Sequence, residues 1–233
     1  MALNIHIFKT RALTALIFVI IMLAGLFINV WGFIALCIII MLGCFFEFIK
    51  ITRKISDHKS FYYLPLGFFY IMMPMAMMVN LGITYEIYTN GPPFEKFTYS
   101  PLIPCAILFC IWINDTLAYL VGSFIGKTPL TKVSPKKTLE GTIGGAILCI
   151  MIITLSARYI PAASGIAWHH WLFISIICTV FGTFGDLLES KLKRMADVKD
   201  SGSFMPGHGG FLDRFDSMLI AIPFVWLYVR LLL

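Results

Sequence analysis

Long apolar runs separated by short polar breaks set the pattern of this chain. Seven runs of near twenty residues recur, at about 12–30, 32–49, 61–80, 101–125, 139–158, 169–190 and 212–233. About 20 apolar residues in helical form cross a ~30 Å hydrocarbon core. The pattern therefore predicts an all-α fold, a polytopic transmembrane helical bundle of about seven spans. Runs one and two join through "NVWG", and "LGITYEIYTNGPPFEKFTYSP" carries the Asn-Gly and Pro-Pro signals of an extracytoplasmic loop. Run three, "FYYLPLGFFYIMMPMAMMVN", holds five methionines and two prolines. It reads as a kinked, adaptable packing helix, the alternative being a lipid-chain groove.

Composition agrees with a membrane chain, since 59% of the 233 residues are hydrophobic. The first run follows Lys9 and Arg11, and no small-residue cleavage site ends it before Trp31, so an uncleaved anchor is expected. The six cysteines all lie within apolar runs and lack metal-ligand spacing. Neither a disulfide framework nor a zinc site is suggested.

The net charge of +6 matters less than where it falls. Lys and Arg accumulate in cytoplasmic loops. With the N-terminus cytoplasmic, fifteen of the eighteen basic residues lie inside, leaving only Lys96, Arg158 and Arg230 outside. That asymmetry explains the charge through the membrane, with no nucleic acid as partner.

Two regions are expected: an N-terminal scaffold over 1–100 with about three spans, and a catalytic region over 101–233 with about four. The second contains eight of the twelve acids and two cytoplasmic loops, 127–138 and 191–211. The scaffold's helical runs one and two carry one acid, Glu47, near a cytoplasmic end.

Ionisable residues within spans are functional candidates by default, because they are costly unless paired, metal-bound or facing water. In "WINDTLAYLVGSFIGK", Asp115, Tyr119, Gly122 and Gly126 share one helical face. The glycines point to close helix packing. Asp115 is either functional or a structural hydrogen-bonding partner. In "GKTPLTKVSPKKTLEGTIGG", lysines including Lys137, the hydroxyls of Ser134 and Thr138, and a helix N-terminus near Thr138 could hold phosphate. A plain positive-inside loop would also explain those lysines.

The segment "GDLLESKLKR" puts Asp186, Glu189, Ser190 and Lys193 on one polar stripe. Beyond it, "VKDSGSFMPGHGGFLDRFDS" adds Lys199, Asp200, a glycine-rich turn around His208, and Asp213 and Asp216 on the opening turn of the last run. Carboxylates that can hold a hard cation, beside bases that neutralise phosphate, fit phosphoryl or nucleotidyl transfer. Gly209 and Gly210 would let backbone N–H groups approach a polyphosphate, with His208 as a donor. His208 could instead cap the last helix, and the whole loop could be an interfacial cluster binding anionic lipid.

Ser190 to Asp216, "SKLKRMADVKDSGSFMPGHGGFLDRFD", closely resembles the signature of the phosphatidate cytidylyltransferase family, also called CDP-diacylglycerol synthases. The upstream Asp-Thr-x-Ala-Tyr and Ser-Pro-Lys-Lys-Thr-x-Glu-Gly segments are similar to that family too, and the likeness covers about Trp112 to Ser217. Met205 stands where the family more often has Ile, Leu or Phe.

The resemblance implies transfer of CMP from CTP to phosphatidic acid, giving CDP-diacylglycerol and pyrophosphate in phospholipid biosynthesis. The enzyme would sit in the cell's inner (plasma) membrane with its site facing the cytoplasm. Residue chemistry and resemblance together assign Asp186 and Asp213 to Mg²⁺, with Asp115 as an additional metal residue and a second cation left open. Asp216 and Asp200 are neighbours of that set, and Lys193, Arg194, Lys199 and Arg214 are phosphate clamps.

A secondary transporter using intramembrane carboxylates, a CDP-alcohol phosphotransferase and a lipid-binding scaffold are the rival readings. The carboxylates cluster at one interface without an internal repeat, and the Asp-Gly-x-x-Ala-Arg run is absent. Glycine-rich helix faces are compatible with a homodimer.

The orientation is testable with single cysteines at Ser134 and Ser203 in a cysteine-free variant. A membrane-impermeant thiol reagent applied to intact cells should leave both unlabelled. Efficient labelling of either from outside would reject the topology.

Overall fold

The computed structural model describes residues 5–55, 63–88, 94–131, 133–204 and 209–233. Six helical segments among them are long and apolar enough to cross a membrane, and Ala12–Phe27 adds a shorter apolar one. The helical, multi-pass architecture expected from the apolar runs is the one the chain adopts, with one β-hairpin added. The helices are α1 (Ile5–Phe27), α2 (Val30–Ile55), α3 (Leu64–Gly67), α4 (Met73–Gly82), α5 (Leu102–Ile125), α6 (Leu139–Ser156), α7 (Trp168–Met195) and α8 (Leu212–Leu232).

They belong to two compact units. The first comprises Met1–Pro101 and Met195–Phe215, and the second Leu102–Arg194 and Asp216–Leu233. The loop that precedes α8 is thus part of the unit formed by the N-terminal helices.

In the first unit, α2 supplies the buried spine. Phe33, Leu36, Cys37, Ile40, Cys44 and Phe48 recur every three or four residues and are buried. A π-helical turn, Phe68–Met72, joins α3 to α4. Pro74 has no N–H to offer the carbonyl one turn back, and the wider turn lets Met73 N–H bond Phe68 O instead. The helix expected here thus continues past Pro74 through a change of hydrogen-bonding pattern.

After α4 the structure departs from the expected loop. Strands β1 (Ile83–Tyr88) and β2 (Phe94–Tyr99) pair antiparallel, in register from Ile83 with Tyr99 to Tyr88 with Phe94. The β-branched and aromatic residues in "ITYEIY" and "FEKFTY" favour strands on either side of a turn signal. The Tyr99 hydroxyl donates to Leu26 O (2.5 Å) and ties the hairpin's end to α1.

In the second unit, α5 and α6 approach through small residues. A Cβ at Gly145 would lie 2.5 Å from Ala118 N, and one at Gly141 2.6 Å from Ala118 O. A Cβ at Gly126 would lie 2.5 Å from Thr138 Oγ1, and one at Gly122 2.8 Å from the same atom. The expected packing role of Gly122 and Gly126 is visible in these distances. Helix α7 runs to Met195, beyond the 190 expected, because its last turns are supported by an i,i+4 ion pair between Glu189 and Lys193.

Gly145→Leu should destabilise the detergent-solubilised protein by about 1–3 kcal/mol through overpacking. A fall of several degrees in the thermal transition checks it. Gly165→Ala, where nothing lies within 4 Å of the added carbon, should leave the transition in place. Equal behaviour of the two variants would remove the case for a glycine-dependent α5/α6 contact.

Candidate active site

In the second unit the return from α5 to α6 is a closed loop. Thr138 has extended backbone angles and caps α6, its Oγ1 accepting from Gly141 N–H (3.2 Å). Glu140, in the first turn, reaches back to accept from Lys127 N–H (3.1 Å) and Thr128 N–H (3.1 and 3.2 Å to its two oxygens). Leu139 N–H donates to Thr128 O (2.9 Å) and Leu130 N–H to Lys137 O (2.8 Å), closing a bridge between Pro129 and Thr138. The turn that carries Ser134, Lys136 and Lys137 is therefore tied at its base.

A cavity of about 600 Å³ opens beside this turn. Asp115 lines it from α5, Asp186 from α7, and Ser134, Lys136, Lys137 and Thr138 from the loop and the α6 cap. The Lys137 ammonium pairs with the Asp186 carboxylate, and Ser190 Oγ donates to Asp186 Oδ1 (3.4 Å). Partial burial pushes the Lys137 pKa below lysine's ordinary value by removing water from the ammonium. The Asp115 and Asp216 carboxylates oppose that shift without cancelling it.

One turn further along α7, Lys193 pairs with Glu189, which is 0% exposed. The stripe expected over Asp186, Glu189, Ser190 and Lys193 thus works as two ion pairs with a hydroxyl between them. Arg194 is exposed at the end of α7. Asp216, on α8, is buried and accepts from Ser217 N–H (2.6 Å) through Oδ1. A Cβ at Gly185 would lie 2.4 Å from Asp216 O, so the glycine lets α7 approach α8 at this carboxylate.

In the first unit, Asp213 is held by its own loop. Its Oδ2 accepts from Gly210 N–H (2.7 Å) and Ser201 N–H (2.9 Å), and lies 3.0 Å from Ser201 Oγ, whose one hydrogen it shares with Glu47. Gly209 takes a positive φ of 83°, a conformation favouring glycine, and brings the backbone against Asp213. The Gly210 amide, expected to face a polyphosphate, is committed to this carboxylate here. Lys199, Asp200 and Arg214 are exposed. His208 and Met205 lie outside the described residues.

One residue that the sequence reading set aside is prominent. Glu47, on α2, is 7% exposed, and its carboxylate accepts from Ser201 Oγ (2.6 Å), Leu212 N–H (2.9 Å) and Phe211 N–H (3.0 Å). The cost of a lone carboxylate in an apolar run could have identified it. Its partners, 154 and more positions away, gave no local signal.

The second unit's cavity offers lysines for an anion and carboxylates for a cation. Among the described residues, no three of His, Cys, Asp and Glu gather as a ready metal cage. A hard cation bound there would rely on one or two carboxylates together with ligand oxygens and water.

The model of the cytidylyltransferase family matches residues 94–232. The chain belongs to that family. Similar relatives include the phosphatidate cytidylyltransferase of Staphylococcus aureus (strain COL), 36% identical over 178 residues, which are 76% of this chain and 64% of the relative. That of Bacillus subtilis (strain 168) is 36% identical over 154 residues, 66% of this chain and 56% of the relative. That of Synechocystis sp. is 38% identical over 143 residues, 60% and 47% of the two chains. The aligned part of this chain thus spans about half to two thirds of the length of these relatives. The cytidylyltransferase match contains all the residues lining the cavity and the Asp213 loop, and Glu47 precedes it.

Proposed function

We propose that this chain transfers CMP from CTP to phosphatidic acid, giving CDP-diacylglycerol and pyrophosphate, at the cytoplasmic face of the plasma membrane. Within the family match, the observation that carries the reading is the cavity that sets Lys136 and Lys137 beside Asp115 and Asp186. The relatives' name, phosphatidate cytidylyltransferase, supports the substrate pair. Their bacterial origin supports the plasma membrane, and the lysine and arginine asymmetry supports the cytoplasmic face.

Both substrates are anions, and bringing them together is the main electrostatic problem. A phosphate monoester has a second pKa of about 6 and is largely dianionic at neutral pH, so its oxygen needs no strong general base. That oxygen attacks the α-phosphorus of CTP, the new P–O bond forms, and the bond to the β-phosphate's bridging oxygen breaks to release pyrophosphate. Lys136 and Lys137 neutralise phosphate charge as the two anions approach, and the tied turn holds them in position. Lys193, Arg194, Lys199 and Arg214 are further phosphate contacts in this reading.

Mg²⁺ suits the chemistry of the cavity lining. Asp186 and Asp115 would hold it together with substrate oxygens, and Lys137 already shows that Asp186 accepts a cationic partner. When bound, Mg²⁺ supplies charge neutralisation for the departing pyrophosphate. Asp213 keeps the cation-binding role that the family resemblance implies, to be tested by its own Asp213→Asn variant.

Purified protein in detergent should release pyrophosphate only when CTP, Mg²⁺ and phosphatidate are all supplied. Asp186→Asn should lower this rate by roughly a hundredfold or more, as for a group acting on transition-state charge. The variant should still insert and elute as the wild type does. Release without phosphatidate, or a near wild-type rate in Asp186→Asn, would reject the assignment.

The Lys137 shift gives a pH dependence. A lowered pKa means that the ammonium is lost at a lower pH than for a free lysine, so kcat/KM should fall early on the alkaline side. Lys137→Arg keeps its charge to far higher pH and should move that descending limb upward. An unmoved limb would assign the titration to another group.

A further inference from the structure

Glu47 lies outside the family match and outside the cavity, yet its carboxylate is one of the most heavily bonded side chains described in its unit. Its setting is built for it. One turn earlier on α2, a Cβ at Gly43 would lie 2.5 Å from the Phe211 ring, so the glycine lets Phe211 rest on the helix. That contact brings the Phe211 and Leu212 amides, the donors that open α8, onto the carboxylate. Gly202 and Gly210 approach the same group, and a Cβ at either would lie 2.2 Å from one of its oxygens. The helix N-terminus is thus capped by a side chain from a distant helix.

The connection continues to Asp213. Ser201 Oγ lies 2.6 Å from Glu47 Oε2 and 3.0 Å from Asp213 Oδ2, and Asp213 N–H donates back to Ser201 Oγ (3.3 Å). Neutral substitutes do not reproduce this arrangement. Oε1 accepts from Phe211 N–H, and Oε2 accepts from Leu212 N–H and Ser201 Oγ. An amide at position 47 would therefore set an NH₂ group against a donor on one side, and Asp is a methylene too short.

We propose that Glu47 is a positioning residue of the transferase reaction: it holds Ser201 and the Phe211–Leu212 backbone in place and, through Ser201, orients the Asp213 carboxylate. This rests on the reading given under the proposed function. It makes α2 part of the reaction machinery, although α2 carries no residue expected to touch substrate.

The test combines a rate with a measurement independent of turnover. A nitroxide attached to Ser203→Cys in a cysteine-free background reports loop mobility. Glu47→Gln should raise that mobility and lower kcat roughly 10–100-fold, the effect of losing one or two charge-assisted hydrogen bonds, with KM for CTP within about twofold. Ser201→Ala, which keeps both Glu47-to-amide bonds but cuts the connection to Asp213, should lower kcat by a smaller factor. The double variant should be no slower than Glu47→Gln, as expected of residues acting as a unit.

Lys54→Ala, at the exposed end of α2, should change neither readout. An immobile label together with wild-type kcat in Glu47→Gln overturns the proposal. So does wild-type kcat in Ser201→Ala, which decides the matter if Glu47→Gln does not insert. Should the wild type itself release no pyrophosphate, the transferase reading fails, while the label still shows whether Glu47 holds the loop.

Discussion

An ionised side chain taken out of water loses several kcal/mol of hydration unless donors or an opposite charge replace it. That constraint shapes both units, and they meet it with different partners. Glu47 and Asp213 are surrounded by main-chain amides and one serine hydroxyl. Asp186 and Glu189 are each matched by a lysine ammonium. An amide is fixed by the backbone that carries it, so Glu47 and Asp213 are held in one orientation. A lysine on a flexible stem can exchange one anion for another, so the second pair can respond to a ligand.

Small residues let those charged groups meet with little intervening bulk. The α5/α6 contact at Ala118, Gly141 and Gly145 leaves no room for side chains, and the connecting loop is correspondingly tight. Glu140 secures it by gathering the Lys127 and Thr128 amides, and Thr138 starts the next helix. Lys136 and Lys137 then project from a turn whose base is hydrogen-bonded on both sides. The phosphate-facing charge of the proposed reaction therefore depends on apolar packing several residues away.

Much of this was legible in the sequence, because membrane crossing and helical spacing are local properties. The apolar runs foretold the spans to within a few residues at most ends, the largest departures being the early start of α1, the late end of α2 and the late end of α7. Spacing of three and four along the chain placed Asp186, Ser190 and Lys193 on one stripe, and the structure puts Asp115, Ser134, Lys137, Thr138 and Asp186 around one cavity. The hairpin was not legible because the Asn-Gly and Pro-Pro signals mark a turn whether or not the residues on either side pair as strands. Glu47 was missed for a different reason. Its partners are contributed by a loop more than 150 positions later, and the unbroken apolar run that precedes it on α2 gives no periodicity to mark its buried face. The commitment of the Gly210 amide to Asp213 depends on the same folded loop.

The way Glu47 grips that loop has a consequence for its variability. The carboxylate meets two peptide N–H groups, which every residue except proline possesses, and a single hydroxyl. Lys199, Asp200 and Ser203 stand exposed on the same loop and take no part in the grip. Shape and surface chemistry are therefore separately encoded: the glycines and Ser201 define the frame, while the exposed positions can be rewritten, in nature or by design, without rebuilding it.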